Sequence, residues 1–329
     1  MKRFIRFCVL AALSAALALF AGCSASSQTA APVPEDGAHL TIASLKGPTS
    51  IGLAKIMQDD SELYTFDIEG SADAIVPQIV QGTVDIALVP ANLAATLYQK
   101  TEGGIQVIGI NTLGVLYGVS QNAALTDVAS LKGATVYMTG KGTVPQYTFE
   151  ALLSAAGLSV EDLTIEFKSE PAEVVAAISA DDQALGILPQ PYVTAATTKN
   201  EALSVCFDLT EQWETLMGAD AGQLLTGVTI VRNEVLEQYP QAVAKFLADH
   251  AESVEAVNAA PADYAQAVVD AGIVDNVVIA EKAIPACNVV SIAGVDMKTA
   301  LSGYLSVLYA QEPSAVGGQL PDDAFYYVG

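Results

Sequence analysis

The fold is decided by a short apolar strand and the polar turn that follows it, Leu40-Thr41-Ile42-Ala43-Ser44-Leu45 and then Lys46-Gly47-Pro48-Thr49-Ser50. The residues from Ile51 to Met57 then have helical periodicity. The same order recurs at Val84-Asp85-Ile86-Ala87-Leu88-Val89, where Pro90-Ala91-Asn92 opens the next helix. Because nearly continuous apolar strands alternate with helices, the sequence predicts an α/β fold with mostly parallel sheets flanked by helices.

The alternation of strands and helices runs through two successive stretches, which indicates two lobes. About 290 residues follow His39, more than one simple core usually holds. After Gly227 the pattern becomes mostly helical, and we expect these helices to cover the first lobe. The chain then crosses between the lobes twice, near 113–120 and 225–230. Lobe 1 is therefore predicted to contain residues 39–115 and 229–329, and lobe 2 residues 116–228.

The amino terminus has the pattern of an export signal. The cationic start Met1-Lys2-Arg3-Phe4-Ile5-Arg6 precedes an apolar run over 7–20, which is too short for a helix that spans a membrane. Small residues then precede Cys23, as in a bacterial lipoprotein signal. Residues 1–22 are therefore predicted to be a lipoprotein signal peptide, Cys23 the lipidated first residue, and residues 23–38 a flexible tether. This predicts a protein outside the cytoplasm, anchored by lipid to the bacterial cell membrane.

The charge of the chain is strongly negative, with 37 acidic against 14 basic residues and a net charge of −23. Without Lys2, Arg3 and Arg6 of the signal, 11 basic residues remain and the net charge is −26. Such a charge repels nucleic acid, so no nucleic-acid partner is expected and the membrane is reached only through the lipid. Arg232 is the one arginine after the signal. Since arginine is the usual clamp for carboxylate and phosphate, a multiply charged anion is a less favoured ligand.

Residues suited to catalysis or metal binding are scarce in this sequence. His39 and His250 are the two histidines, and neither has a partner at metal-ligand spacing. The sequence contains no nucleophile elbow and no phosphate-binding loop. We therefore predict no catalytic residue, no metal and no cofactor. Cys206 and Cys287 can be free thiols or a disulfide that restrains the hinge, and the sequence leaves both open.

Polar turns that contain glycine or proline recur where a strand passes into a helix. In open α/β sheets such turns lie at the carboxyl ends of the strands, where ligands bind. The helices that follow begin with free N–H groups that can bind a ligand. For any single Ser, Thr or Asn in these turns, helix capping is an equally good explanation. The five turns are residues 46–50, 70–73, 90–92, 140–145 and 189–192.

Four segments carry a resemblance to a known family. They are Gly47-Pro48-Thr49-Ser50-Ile51-Gly52-Leu53, Gly82-Thr83-Val84-Asp85-Ile86-Ala87, Leu188-Pro189-Gln190-Pro191, and the ending Pro313-Ser314-Ala315-Val316-Gly317-Gly318-Gln319-Leu320-Pro321-Asp322-Asp323-Ala324-Phe325-Tyr326-Tyr327. The chain from about Leu40 onward resembles the extracytoplasmic substrate-binding lipoproteins of ABC importers, in the group that includes nitrate, sulfonate, taurine and thiamine-precursor binders. The resemblance implies a two-lobe clamp of the type 2 periplasmic-binding-protein fold, with two hinge crossovers and a small molecule that closes the hinge. Relatives often have Glu where Gln190 stands, so a cationic ligand group is less favoured.

The strand-to-helix turns and this resemblance together give a set of candidate ligand contacts. Lys46 or Lys141 is expected to neutralise an anionic group, Tyr117 or Tyr192 to stack on a heterocycle, and Trp213 to pack the lobes. The complete candidate set is Lys46, Gly47, Pro48, Thr49, Ser50, Ser71, Asn92, Asn111, Thr112, Tyr117, Lys141, Gly142, Thr143, Gln190 and Tyr192.

Delivery of a captured small molecule to ABC permease subunits is the function that the resemblance implies. The ligand classes left open are a sulfonate, a monoanion and a neutral heterocycle, and the protein is expected to be a monomer. Two alternatives remain. Some menaquinone-pathway dehydratases share this clamp fold but work in the cytoplasm, and a sensory ligand-binding module would present its closed form to a receptor.

Overall fold

The computed structural model of the chain describes residues 38–59 and 62–329. The predicted signal peptide, Cys23 and all but the last residue of the predicted tether lie outside the described residues. None of the described helices has the length and hydropathy needed to cross a membrane.

Eleven strands form two sheets in the described part of the chain. The strands are β1 Leu40–Leu45, β2 Tyr64–Glu69, β3 Ile86–Pro90, β4 Ile105–Leu113, β5 Leu116–Ser120, β6 Thr135–Met138, β7 Thr164–Phe167, β8 Leu185–Pro189, β9 Ser204–Asp208, β10 Leu225–Arg232 and β11 Val289–Ile292. The six-stranded sheet has the order β11-β4-β10-β3-β1-β2, and the five-stranded sheet has the order β7-β6-β8-β5-β9.

Both sheets are mostly parallel in strand direction, as predicted. In the six-stranded sheet β1 to β4 run one way, while β10 and β11 run the other. In the five-stranded sheet only β5 is reversed, because it pairs antiparallel with both β8 and β9. The reversed strands β5 and β10 are the first strands that the chain forms after each passage between the sheets.

Helices cover the faces of both sheets. Their bounds are α1 Pro48–Ile51, α2 Ala54–Gln58, α3 Ala72–Gln81, α4 Ala91–Lys100, α5 Val144–Ala155, α6 Pro171–Ala180, α7 Tyr192–Lys199, α8 Leu209–Leu216, α9 Asn233–Gln238, α10 Pro240–Ala259, α11 Pro261–Asp270, α12 Val277–Ala283 and α13 Gly294–Gln311. Short 3₁₀ turns lie at Val128–Leu131, Val160–Asp162, Ala219–Ala221, Ile284–Ala286, Pro313–Val316 and Asp323–Phe325.

The unit of β3 and α4 shows why these residues form these elements. Ile86 to Val89 are buried, as expected for a strand covered on both faces. Pro90 then ends the strand and serves as the N-cap of α4, where its missing N–H leaves no donor unpaired. In α4, Ala91, Ala94 and Ala95 repeat at the spacing of one helix face and are buried.

Arg232 is tied into the six-stranded sheet. Its Nε donates to the carbonyl oxygen of Val84 at 2.8 Å, and its Nη2 lies 3.1 Å from Oδ1 of Asp85. The other oxygen of Asp85 accepts the backbone N–H of Thr41 at 2.9 Å. Arg232, the one arginine after the predicted signal, therefore links β10 to the start of β3 and, through Asp85, to β1. These contacts account for its position without a ligand.

Helix α13 bridges the two sheets and carries much of the packing between them. It contacts α5 and the 219–221 turn on one side, and β4 and α4 on the other. Trp213 of α8 is fully buried, donates from Nε1 to the carbonyl oxygen of Gly222 at 3.2 Å, and packs edge-on against Tyr304 of α13. Trp213 thus packs between the lobes, as the sequence predicted.

The backbone of α13 approaches the 219–222 segment very closely. A Cβ on Gly303 would lie 2.4 Å from the backbone nitrogen of Gly222 and 2.7 Å from the carbonyl oxygen of Asp220. A Cβ on Gly222, whose φ is +65°, would lie 2.1 Å from the carbonyl oxygen of Ala300. Only glycine fits at these two positions, because a methyl group would overlap backbone atoms.

Candidate functional site

A cavity of about 570 Å³ lies between the two sheets. This volume is within the ordinary range for small-molecule sites. Its wall is made of Pro90, Ala91, Asn92, Thr96, Gly114, Val115, Leu116, Thr139, Gly142, Thr143, Val144, Pro145, Tyr147, Thr148, Pro189, Leu224, Leu225, Thr226, Tyr304, Ser314 and Ala315. The wall thus combines strand ends from both sheets with both passages of chain between them.

The six-stranded sheet contributes the carboxyl end of β3 and the helix that follows it. Pro90 is the last residue of β3, and Asn92 lies in the first turn of α4. Thr226 is beside them because β10 pairs antiparallel with β3, with Gly227 opposite Pro90. These residues form the rim of the cavity on the lobe 1 side.

The five-stranded sheet contributes the corresponding ends of β6 and β8. Thr139 follows β6, and Gly142 and Thr143 lead into α5. Pro189 ends β8 and pairs with Leu116, the first residue of β5. The carboxyl ends of parallel strands from both sheets therefore meet at one cavity, which is where open α/β sheets bind ligands.

The floor of the cavity is formed by the two passages between the sheets. Gly114 and Val115 join β4 to β5, while Leu224 and Leu225 lead back into β10. A Cβ on Gly114 would lie 2.4 Å from Oγ1 of Thr210 and 2.8 Å from Cδ2 of Leu224. The two passages therefore cross in tight contact, and the floor is mainly apolar.

The carboxyl-terminal segment closes one side of the cavity. Asn92 donates from Nδ2 to the carbonyl oxygen of Ala315 at 3.2 Å. Gly317 has φ +85°, and a Cβ there would lie 3.0 Å from Cα of Thr96. The Tyr98 hydroxyl donates to Asp322 at 2.6 Å. Ser314 and Ala315 were not among the sequence candidates, although they belong to the carboxyl-terminal signature on which the resemblance rests.

Tyr304 forms the deep wall of the cavity. The residue is 1% exposed, and its hydroxyl oxygen lies 3.4 Å from Oγ1 of Thr148. Burial raises the pKa of Tyr304 to about 12, against a smaller opposing effect of the hydrogen bond with Thr148. The phenol is therefore uncharged at neutral pH, and sequence reasoning missed it because α13 is distant in the chain.

Three of the sequence candidates line this cavity, namely Asn92, Gly142 and Thr143. Four others have their polar groups bonded inside the six-stranded half. The hydroxyls of Thr49 and Ser50 both donate to the carbonyl oxygen of Leu45. Asn111 donates to Oγ1 of Thr229 at 3.2 Å and accepts from Thr112 at 2.9 Å. These four residues are buried and lie outside the lining.

Of the three aromatic and amide candidates in lobe 2, two have their polar groups bonded to other residues and one is exposed. The Tyr117 hydroxyl donates to the carbonyl oxygen of Ala286 at 2.6 Å. Gln190 is 4% exposed, and its Oε1 accepts the Thr194 hydroxyl at 2.8 Å. Tyr192, by contrast, is 45% exposed at the start of α7. None of the three candidates lines the cavity.

The remaining candidates are at the surface or in helix-start positions. Nζ of Lys46 lies 4.0 Å from Oδ1 of Asp275, and Nζ of Lys141 lies 5.9 Å from the centre of the Phe167 ring. Ser71 is the exposed N-cap of α3. Gly47 with φ +126° is the N-cap of α1, and Pro48 is the first residue of that helix. A ligand contact by any of these five residues stays a prediction.

A second cavity, of about 780 Å³, lies near the start of β2. Its wall is formed by Ile56, Met57, Gln58, Tyr64, Thr65, Phe66, Asp263, Gln266, Ala267, Asp270 and Ala271. It belongs to β2, α2 and α11 of one half only. The first cavity is the better candidate because both sheets and both chain passages build it.

The two thiols of the described chain are free. Cys287 is buried, and burial raises the pKa of its thiol to about 12. Cys206 is half-buried on β9, and burial raises its pKa as well. The structure thus favours the free-thiol alternative, and neither sulfur lines the cavity.

Two solved structures of transport proteins are similar to this chain. An ABC transporter from Parabacteroides distasonis is similar with a TM-score of 0.74 and 24% identity, over 88% of this chain and 98% of that chain. The periplasmic aliphatic sulphonate binding protein SsuA from Escherichia coli is similar with a TM-score of 0.66 and 16% identity, over 88% and 93% of the two chains. The fold is that of ABC-importer substrate-binding proteins.

This confirms the two-lobe α/β fold that the resemblance implied. A less similar structure with this fold, the desulfurization enzyme DSZB, has a TM-score of 0.55 and 13% identity, over 88% of this chain and 97% of that chain. The fold of substrate-binding proteins therefore also occurs in an enzyme, and function has to be argued from the cavity. No protein-family model and no curated protein matches the chain.

Proposed function

We propose that this protein is a solute-binding protein that captures a small molecule between its two sheets and delivers it to an ABC importer. The observation that supports this most is the shared cavity, whose wall comes from strand ends of both sheets and from both chain passages. Such a wall is complete only when the two halves are together. Ligand contacts with both halves then favour the closed arrangement over an open one.

We take residues 39–115 and 225–329 as lobe 1 in this proposal, and residues 116–224 as lobe 2. The second boundary, which the sequence placed at 228, is moved because β10 begins at Leu225 and pairs within the six-stranded sheet. Asn92 contacts the ligand from lobe 1, while Gly142 and Thr143 contact it from lobe 2. The residues between β4 and β5 and before β10 bend as the hinge, because they alone connect the two sheets along the chain.

The anchor and the location belong to the same proposal. Residues 1–22 direct export, Cys23 carries the lipid, and residues 23–38 tether the binding domain outside the cytoplasmic membrane. A monomer held there meets the permease subunits in its closed form. The proposed ligand is a sulfonate, a monoanion or a neutral heterocycle. A sulfonate is included because the similar Escherichia coli structure is named as a sulphonate binding protein.

An enzyme is the second candidate, because one structure with this fold is a desulfurization enzyme. A sensory module remains a third, since its ligand cavity would be the same. Turnover separates the first two. A solute-binding protein binds its ligand saturably and leaves it unchanged, whereas an enzyme releases a product.

The experiment that tests the proposal is a thermal-shift screen of the purified protein with vitamins, vitamin precursors, sulfonates and amines. A ligand at 100 times its dissociation constant adds about 2.7 kcal/mol to the free energy of unfolding. Thr143→Ala and Asn92→Ala should weaken binding of that ligand. Thr197→Ala is the matched control, since this hydroxyl bonds within α7 to the carbonyl oxygen of Val193. If both cavity variants bind as the wild type does, the ligand site is elsewhere.

A further inference from the structure

We propose that the ligand of the cavity between the sheets is a molecule with no ionised group, and therefore not a sulfonate or another anion. This inference rests on the proposed solute-binding function and narrows its ligand class. The ligand has an apolar body and a few hydrogen-bonding groups, as an uncharged heterocycle or amide has.

The wall of the cavity, in the part of the chain that the structure describes, offers no charged side chain to an ionised ligand. Each of the described residues that line the cavity has an uncharged side chain at neutral pH. The two lysines that were expected to hold an anion lie outside the lining. The ammonium group of Lys141 lies over Phe167, and that of Lys46 lies near Asp275. An ionised group buried in this cavity would lose its hydration without gaining a side-chain partner of opposite charge.

The start of α5 borders the cavity, and backbone amides at a helix start are well placed to bind an anion. The N–H of Gly142 already donates to Oε1 of Gln146 at 2.7 Å. The N–H of Thr143 donates to the carbonyl oxygen of Gly140 at 3.0 Å, and the Thr143 hydroxyl bonds to the same oxygen at 2.7 Å. Pro145 has no N–H to offer. The backbone amides of Gly142 and Thr143 are therefore already bonded within this loop and helix start.

At the start of α4, Pro90 has no N–H to offer, and the side-chain amide of Asn92 is bonded to the carbonyl oxygen of Ala315. The polar side chains of these two helix starts that line the cavity, Asn92 and Thr143, are therefore already bonded within the protein.

The negative charge of the whole protein also disfavours an anionic ligand. The chain carries 37 acidic and 14 basic residues. Next to the lining residue Leu116, burial raises the pKa of Tyr117, and the carboxylates of Asp208 and Glu211 raise it further. The long-range field opposes the entry of an anion, and no lining side chain among the described residues offsets it.

The wall does offer uncharged partners. The side chains of Thr139, Tyr147 and Thr226 are partly exposed and line the cavity. Leu224 and Leu225 provide apolar surface beside them. Hydroxyl groups donate and accept hydrogen bonds equally well, so they suit a neutral polar molecule on an apolar floor.

The test is capture of small molecules from a metabolite extract by the full-length protein, followed by mass spectrometry. Molecules that bind in the cavity are enriched by the wild type and by Thr299→Trp, a control on the exposed side of α13. They should not be enriched by Thr226→Trp, in which the new side chain fills the cavity. Ser314→Trp, at the exposed rim of the cavity, should give the same result and serves as a second variant if Thr226→Trp does not fold. The charge of each enriched molecule at pH 7 is then read from its structure and its electrophoretic mobility.

The inference predicts that the enriched molecule is uncharged and that its dissociation constant changes less than about twofold between low and high salt. Thr139→Lys, which places a cation in the wall, should not tighten its binding. An enriched molecule with an ionised group, or tenfold tighter binding to Thr139→Lys, would overturn this inference and leave the proposed function standing. If no molecule depends on the cavity, the proposed function fails and this inference fails with it.

Discussion

The hydroxyl of Tyr117 donates a hydrogen bond of 2.6 Å to the backbone carbonyl of Ala286. Tyr117 belongs to β5 of the five-stranded sheet, whereas Ala286 ends the 3₁₀ turn that precedes β11 of the six-stranded sheet. Burial raises the pKa of Tyr117, and the nearby Asp208 carboxylate acts in the same direction. The hydroxyl therefore stays protonated at neutral pH and remains a donor between the two halves.

Tyr117→Phe should destabilise the protein by about 1 kcal/mol, because the carbonyl of Ala286 loses its partner. The same change should speed ligand dissociation, since the bond favours the arrangement in which the halves are together. Chemical denaturation measures the first effect and stopped-flow fluorescence the second. Tyr192→Phe is the matched control, because Tyr192 is exposed. Equal behaviour of the two variants would show that the bond does not hold the halves together.

Because α13 contacts the 219–222 segment closely, we expect a glycine-to-alanine change in this helix to lower the stability of the protein instead of raising it. Glycine inside a helix is less favourable than alanine by about 1 kcal/mol, so Gly303→Ala should stabilise a helix taken alone. In this protein the added methyl group meets the backbone of Gly222 and Asp220. We expect a net loss of about 1–3 kcal/mol in the free energy of unfolding.

Urea denaturation of Gly303→Ala and of Ser306→Ala measures this difference. Ser306 is exposed on the same helix and bonds only to the carbonyl oxygen of Ser302, so its replacement should have little effect. If Gly303→Ala is as stable as the wild type or more stable, α13 does not pack against the 219–222 segment as described.

His250 should make the stability depend on pH in a predictable direction. The imidazole is 3% exposed, packs on Phe246, and has no hydrogen-bond partner for Nε2 among the described residues. Burial lowers its pKa from 6.5 to about 4. The unfolded chain therefore binds a proton that the folded protein does not bind between these two values.

As the pH falls, the unfolded state takes up this proton before the folded state does. The contribution of His250 to the free energy of unfolding therefore has its full value above pH 6.5. It falls as the pH drops toward 4, by up to about 3 kcal/mol. His250→Gln should flatten this part of the stability profile. His39→Gln, which removes the other histidine at the exposed surface, should leave it in place. An unchanged slope in His250→Gln would mean that other groups cause the pH dependence.

The link between Asn92 and the carboxyl-terminal turn predicts a local effect. Asn92→Ala removes the donor to the carbonyl oxygen of Ala315, so the 313–316 turn should open more often. Hydrogen exchange at the amides of Ala315 and Gly317 should then become faster, and ligand affinity should fall because this turn closes one side of the cavity. Asn122→Ala, far from the cavity on the five-stranded half, is the control. Unchanged exchange in Asn92→Ala would show that the turn is held without this bond.

The fold could be predicted from the sequence because its signals are local. Apolar strands followed by polar turns at 90–92 and 140–145 indicated parallel strands with helices after them, and these two turns do line the cavity. The strand β11, by contrast, has four residues in a mostly helical region, and its pairing with β4 depends on a distant strand. Periodicity over so short a run does not distinguish a strand from a turn.

The candidate site was harder to predict, because the sequence does not show where a hydroxyl points. Thr49 and Ser50 follow a strand, as ligand-binding residues do, yet both donate to the carbonyl oxygen of Leu45. Such local bonds compete with ligand contacts for the same side chains. Tyr304 of lobe 1 lies 156 residues along the chain from Thr148 of lobe 2, and only tertiary packing brings the two together.

The most direct measurement is a crystal structure of the full-length protein with the small molecule that it captures. We predict electron density for that molecule between Asn92 and Thr143, above the floor formed by Gly114 and Leu225. Density in the second cavity, beside Tyr64 and Asp263, or on the outer surface of either half would contradict it.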